Sequence, residues 1–127
     1  VTYTKRDETD LDALVAAEEW SAIETSCISG VTDLSDMFYD MYDFNGDIST
    51  WDTSSVTNMG GMFNGAKSFI QKLCGDTWSR SNATKREMFV GSYGHISCDK
   101  FQPTRRCDLM EAINLCRGAD GGRCSLM

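Results

Sequence analysis

Apolar positions along this chain recur with a period far longer than that of a helix or a strand. Residues 22–46, AIETSCISGVTDLSDMFYDMYDFNG, align without a gap on residues 47–71, DISTWDTSSVTNMGGMFNGAKSFIQ. At this offset of 25, Ile23 meets Ile48, Val31 meets Val56, Met37 meets Met62, Phe38 meets Phe63 and Phe44 meets Phe69. Thr25/Thr50, Ser29/Ser54 and Thr32/Thr57 complete eight identities, and Leu34/Met59 and Asp33/Asn58 are close substitutions. A third unit follows in altered form: Leu73 lies 25 after Ile48, and Met88-Phe89 lies 26 after Met62-Phe63. A terminal repeat is expected to be atypical, because it closes the core instead of passing it on.

One such unit cannot bury its own apolar face, whereas stacked units can. The expected core is therefore Ile23, Val31, Leu34, Met37, Phe38, Phe44, Ile48, Trp51, Val56, Met59, Met62, Phe63, Phe69, Leu73, Met88 and Phe89. Each unit reads as a strand-like run followed by one or two helical turns. In TNMGGMFNGA, Thr57 can cap a helix through its hydroxyl. Met59, Met62 and Phe63 then fall on one helical face, and Asn64-Gly65 ends it. TDLSDMFYD repeats this with Thr32, Leu34, Met37 and Phe38. The expected fold class is α/β: a short repeat solenoid with an N-terminal helix and a disulfide-stapled C-terminal cap. Residues 1–98 form the helix and repeats; residues 99–127 form the cap, packed on the same domain.

The segments VTDLSDMF, FNGDISTWDTSSVTNMGGMF and SFIQKLCGDTW resemble the BspA-like surface-protein repeat. That family is leucine-rich-repeat-like, with units of about this length, in bacterial surface proteins and in algae and other protists. The resemblance covers residues 8–98. DLDALVAAEEW resembles the helix that precedes its first repeat, and MFVGSYGHISC resembles the algal closing unit. In the first unit Ser26 stands where the second has Trp51. The resemblance implies no catalytic residue.

Composition narrows the picture. With 41% hydrophobic and 24% charged residues and one Pro, the chain suits one small folded domain and not a disordered tract. No apolar run approaches the length of a membrane span. A start at Val1 instead of Met points to a processed or trimmed chain. Cys27, Cys74, Cys98, Cys107, Cys116 and Cys124 are six, an even number, with no C-x-x-C and one His among the 127 residues, so disulfides are expected before a zinc site. Disulfides imply an oxidising, non-cytosolic compartment, either a thylakoid lumen or the cell surface. In the tail, CDLMEAINLCRG reads as a short helix presenting Leu109, Ile113 and Cys116 on one face. The net charge of −7 is divided unevenly: −11 over residues 1–56 and +4 over residues 57–127. The acidic part could face a basic protein. Nucleic acid is not expected, since Lys85-Arg86 and Arg105-Arg106 are pairs and not a stripe.

Three stretches could carry chemistry. YDMYDFNGDISTWD places Asp43, Asn45, Asp47 and Asp52 nearly as an EF-hand loop would. With Gly46 fixing the register, however, the first ligand position is Met41 and the last is a short Asp, so no metal is expected. His95 lies near Ser92, Ser97, Cys98 and Asp99, but neighbours in sequence do not make a catalytic group, and the chain is not expected to be an enzyme. Asn82-Ala83-Thr84 is a glycosylation sequon. No cofactor is implied. The reading is a non-catalytic interaction or structural module that binds one or more proteins. A narrower version is a soluble thylakoid-lumen subunit docked on a photosystem-type membrane complex of an alga or protist. The alternative is a cell-surface adhesin or carbohydrate-binding module, with Trp51, Trp78, Tyr39 and Tyr42 as stacking platforms.

Overall fold

The computed structural model describes residues 2–97, and the backbone of residues 123–125. Strand β1 (Thr2–Lys5) opens the chain, followed by helices α1 (Glu8–Ala16) and α2 (Trp20–Glu24) and strand β2 (Ser26–Cys27). Beyond the first repeats come β3 (Lys72–Leu73), α3 (Asp76–Ser79), β4 (His95–Ile96) and β5 (Arg123–Ser125). β1 is central in one sheet, parallel to β2 and antiparallel to β5; β3 and β4 pair in parallel.

The N-terminal helix forms where the sequence places it, but in two pieces. Asp7 caps α1 by accepting from the N–H of Asp10, whose carboxylate accepts in return from the N–H of Asp7. Leu11 and Val15 face the core. The helix ends at Ala17, Glu18 takes a positive φ, and the chain restarts as α2.

The expected α/β solenoid, with a strand and a helical turn in each unit, is not what forms. Among the described residues there are three short helices and two small sheets, and the segments holding Met37-Phe38, Met62-Phe63 and Met88-Phe89 are chains of turns. The period of Met59, Met62 and Phe63 suits a helix and a run of turns equally. What decides is the backbone at Asp36, Asp40, Gly61, Gly65, Glu87 and Gly91. Each has a positive φ, so a left-handed residue recurs at every fourth position and stops a right-handed helix. Gly61 is where this matters most: its φ is +65°, and a Cβ there would collide with Asp36 Oδ1. The expected disulfide-stapled cap is not found among the described residues either. No disulfide joins two described cysteines: Cys27 is a buried thiol, while Cys74 is disulfide-bonded. Cys98, Cys107 and Cys116, the predicted tail helix and Arg105-Arg106 lie outside the described residues, and only the backbone of Cys124 is described.

The turn runs are tied together through their alternate amides. Within the first run, the N–H groups of Met37, Tyr39 and Met41 bond to the carbonyls three residues back. The intervening N–H groups of Leu34, Asp36, Phe38 and Asp40 donate instead to the carbonyls of Asn58, Gly60, Met62 and Asn64 in the second run, at 2.8–3.0 Å. The second run repeats the arrangement: Met59, Gly61, Phe63 and Gly65 donate to Thr84, Arg86, Met88 and Val90. Isolated parallel bridges Asp33–Asn58 and Asn58–Thr84 mark the same register. The sequence period is thus the spacing that brings identical side chains over one another.

The aromatic rings follow that register. Phe38, Phe63 and Phe89 form one column, with centroids 5.5 and 5.4 Å apart and nearly parallel planes. Phe44 and Phe69 form a second, at 5.7 Å, joined to the first by Phe38–Phe44 and Phe63–Phe69 contacts of 4.0 Å. Each near-parallel, offset pair adds about 0.5–1.5 kcal/mol beyond burial of its area. Trp51 and Trp78 are fully buried, and both indole N–H groups reach back one unit, to the carbonyls of Ile23 and Ile48. In the first unit Ser26 closes the same place by donating its hydroxyl to Ala22 O.

Of the predicted core positions, Ile23 to Met88 are buried and Phe89 is half-buried. Tyr3, Leu11, Val15, Ile28, Ala66, Trp78 and Ala83 are also buried. Phe63→Ala is expected to cost about 3–5 kcal/mol, since it deletes a buried ring touching three others. Lys67→Ala removes an exposed ammonium 5.1 Å from the Tyr42 ring centroid and should cost at most about 1 kcal/mol. Urea melts of the two variants check this; equal midpoints would contradict the stacked core.

Candidate interaction surface

The polar residues that looked most like a site are mostly committed to holding turns. Asp47 accepts from the N–H and hydroxyl of Ser49, at 3.0 and 2.6 Å. Asp52 accepts from the N–H of Ser54 and from the Ser29 hydroxyl. Asn45 Oδ1 accepts from the N–H of Ile70, one unit on, and from the Gln71 amide. Asp43 is exposed. These oxygens bond to five different residues, Ser29, Ser49, Ser54, Ile70 and Gln71, and among the described residues no cluster of His, Cys, Asp or Glu could hold a metal ion. The resemblance to a calcium loop has a simple origin: Asp and Asn are the residues that cap consecutive turns.

The same device locks the N-terminal helix to the repeats. Glu8 Oε1 accepts from the N–H of Thr32 (3.0 Å), the N–H of Asp33 (3.0 Å) and the Thr32 hydroxyl (3.1 Å). These bonds, led by the Thr32 amide, hold the Glu8 carboxyl below the ordinary range, against its slight burial and the charge of Asp33. Asp33 is also lowered, by the Ser35 hydroxyl and then the Ser35 N–H. In the second unit Asn58 replaces Asp33 and caps Gly60 in the same way.

His95 lies in β4 and is exposed; its N–H donates to Gln71 O. The Ser92 hydroxyl donates to Phe69 O and accepts from the N–H of Gly94, so it serves a turn. Cys98 and Asp99 lie outside the described residues. Asn82 and Thr84 of the sequon are exposed. Asn82 stands on the rim of a groove of about 440 Å³ lined by Thr53, Ser55, Thr57, Thr77 and Ser81 among others.

Trp51 and Trp78 have no exposed surface, which removes them as stacking platforms. Among the described residues, the large apolar side chains most open to solvent are Tyr39, Tyr42, Ile70, Val90 and Tyr93, between 47% and 76% exposed. Tyr39 and Tyr42 stand among the exposed Asp36, Asp40 and Asp43. This acidic, aromatic rim was legible only in part: Tyr39 and Tyr42 stood beside Trp51 and Trp78 as stacking platforms, and nothing in the sequence separated the exposed pair from the buried one.

Layered turns joined by repeat-to-repeat amides, with phenylalanine columns inside, define a small repeat protein whose layers are built from turns. The chain matches, over residues 9–107, the family described as Mycoplasma protein of unknown function, DUF285, and belongs to it. This agrees with the BspA-like resemblance at the level of the repeat family. No curated protein and no solved structure matches the chain.

Two measurements follow. A carboxyl with a depressed folded-state pKa contributes stability that is complete above its unfolded pKa and is lost as pH falls through the folded one. Below about pH 4.3, the ordinary glutamate value, the wild type should therefore lose stability more steeply than Glu8→Gln. Denaturant midpoints across pH 6 to 3 test this; parallel curves would contradict it. Calcium at millimolar concentration should leave the melting temperature where excess chelator leaves it, because a ligand binding only the folded state must raise it.

Proposed function

We propose that this protein is a non-catalytic module that binds another protein. The observation carrying this reading is the rim of Tyr39 and Tyr42 among Asp36, Asp40 and Asp43, where most large apolar side chains of the described residues are buried. Tyrosine is among the residues enriched as anchors of protein interfaces, inside a polar rim. The strongly acidic N-terminal half favours a partner with a basic face.

The finer version is a subunit of algal or protist type docked on a larger membrane assembly, such as a photosystem in a thylakoid lumen. Among the described residues no helix is long and apolar enough to cross a membrane, which is compatible with peripheral attachment. The disulfide at Cys74 supports an oxidising compartment for this reading, a lumen or a cell surface. Carbohydrate binding is the second reading. Tyr39 and Tyr42 remain as stacking surfaces, and the hydroxyl-lined groove beside Thr57 and Ser81 suits a polyol.

Mild purification of the native protein tests the proposal. A stoichiometric protein partner is expected, and Tyr39→Ala with Tyr42→Ala should lose it without changing the melting temperature. Both tyrosines are about half exposed, so their truncation leaves the core intact. A monomer with no partner that binds a glycan array would overturn the proposal in favour of the carbohydrate reading.

A further inference from the structure

The last described turn run leaves a row of amides with no acceptor among the described residues. Leu34, Asp36, Phe38 and Asp40 donate to the second run, and Met59, Gly61, Phe63 and Gly65 donate to the third. The corresponding N–H groups of the third run are those of Lys85, Glu87, Phe89 and Gly91, and no described residue accepts a hydrogen bond from any of them. The third run does keep its internal turns, Met88 N–H to Lys85 O and Ser92 N–H to Phe89 O. The open amides therefore belong to an ordered layer.

Side chains mark the same face as unfinished. Phe38 and Phe63 are fully buried, each covered along the column, but Phe89 ends the column half-buried. Lys85 takes the place of Leu34 and Met59. Its ammonium bends back to the carbonyls of Ser81 and Ala83, which leaves its stem at the edge of the layer. Val90 and Tyr93 nearby are 55% and 76% exposed.

We propose that this end of the stack is a docking face for an extended segment of a partner protein, added as one further layer. The inference rests on the reading of the protein as an interaction module, and it names the surface and the partner's chemistry. The partner supplies backbone carbonyls at alternate residues, in register with Lys85, Glu87, Phe89 and Gly91, and an apolar side chain over Phe89. Main-chain bonds of this kind give affinity, and the alternate side chains give selectivity. The face continues the layer-to-layer interface that the chain already makes twice, with the same four donors and the same ring column. The first unit of a second copy offers no exposed ring to extend the column, since Phe38 there is fully buried.

Residue-resolved amide exchange on the full chain is the test, with a synthetic peptide NATKREMFVGSY, residues 82–93 of this sequence, as the probe. Its carbonyls at the positions of Thr84, Arg86, Met88 and Val90 are those that accept from the second run. In the protein alone, Gly61, Phe63 and Gly65 should exchange slowly and Lys85, Glu87, Phe89 and Gly91 fast. Saturating peptide should slow these four by about tenfold or more and leave other exposed amides unchanged. Slow exchange of the four without peptide would mean that the face is already covered, by this chain or by a second copy, and would overturn the proposal. So would fast exchange that no amount of peptide changes. If the peptide has no effect while co-purification still depends on Tyr39 and Tyr42, the docking face fails and the interaction reading survives. If both fail, neither stands.

Discussion

Alternate amides divide between two tasks, and the rest of this structure depends on that division. Odd-numbered N–H groups of the first run close turns within it; even-numbered ones reach the next run. A helix would spend every amide internally, and a strand would spend none internally. The division is possible because a left-handed residue at every fourth position, Asp36, Asp40, Gly61, Gly65, Glu87 or Gly91, reverses the chain before a helix can propagate. Once the amides fix the register, the phenylalanines have no freedom left. Phe38, Phe63 and Phe89 must lie over one another, and Phe44 must lie over Phe69.

The same economy governs the polar residues. Asp and Asn in these units are structural acceptors first: Asp33, Asp47, Asp52 and Asn58 cap turns two residues on. Glu8 extends the device across chain segments by capping the backbone at Thr32 and Asp33, so the N-terminal helix is clamped where the stack begins. The stack is thus asymmetric in its two ends. The first carries α1 and α2; the other, among the described residues, presents amides without an acceptor and the half-buried end of a ring column.

Much of this was written in the sequence. The offset of 25 between identical apolar residues fixed which side chains share a core, because a stacked layer can bury only what its neighbour matches. It also marked the third unit as terminal, where Lys85 stands in the place of Leu34 and Met59. The acidic imbalance and the Asp- and Asn-rich turns were equally plain. What the sequence did not decide was the backbone of each unit. Met59, Met62 and Phe63 have the spacing of a helical face, but a run of turns gives the same spacing. The Gly60-Gly61 pair inside the supposed helix was the one local sign against it. Nor could spacing say which cysteines were oxidised: the even count of six pointed to pairing throughout, and Cys27 is a buried thiol. Tertiary structure alone decided the partition of the amides. Whether an N–H bonds three residues back or to the next unit depends on a carbonyl some 25 residues away, and no local pattern records that carbonyl. For the same reason only the structure shows where the partition runs out, at Lys85, Glu87, Phe89 and Gly91.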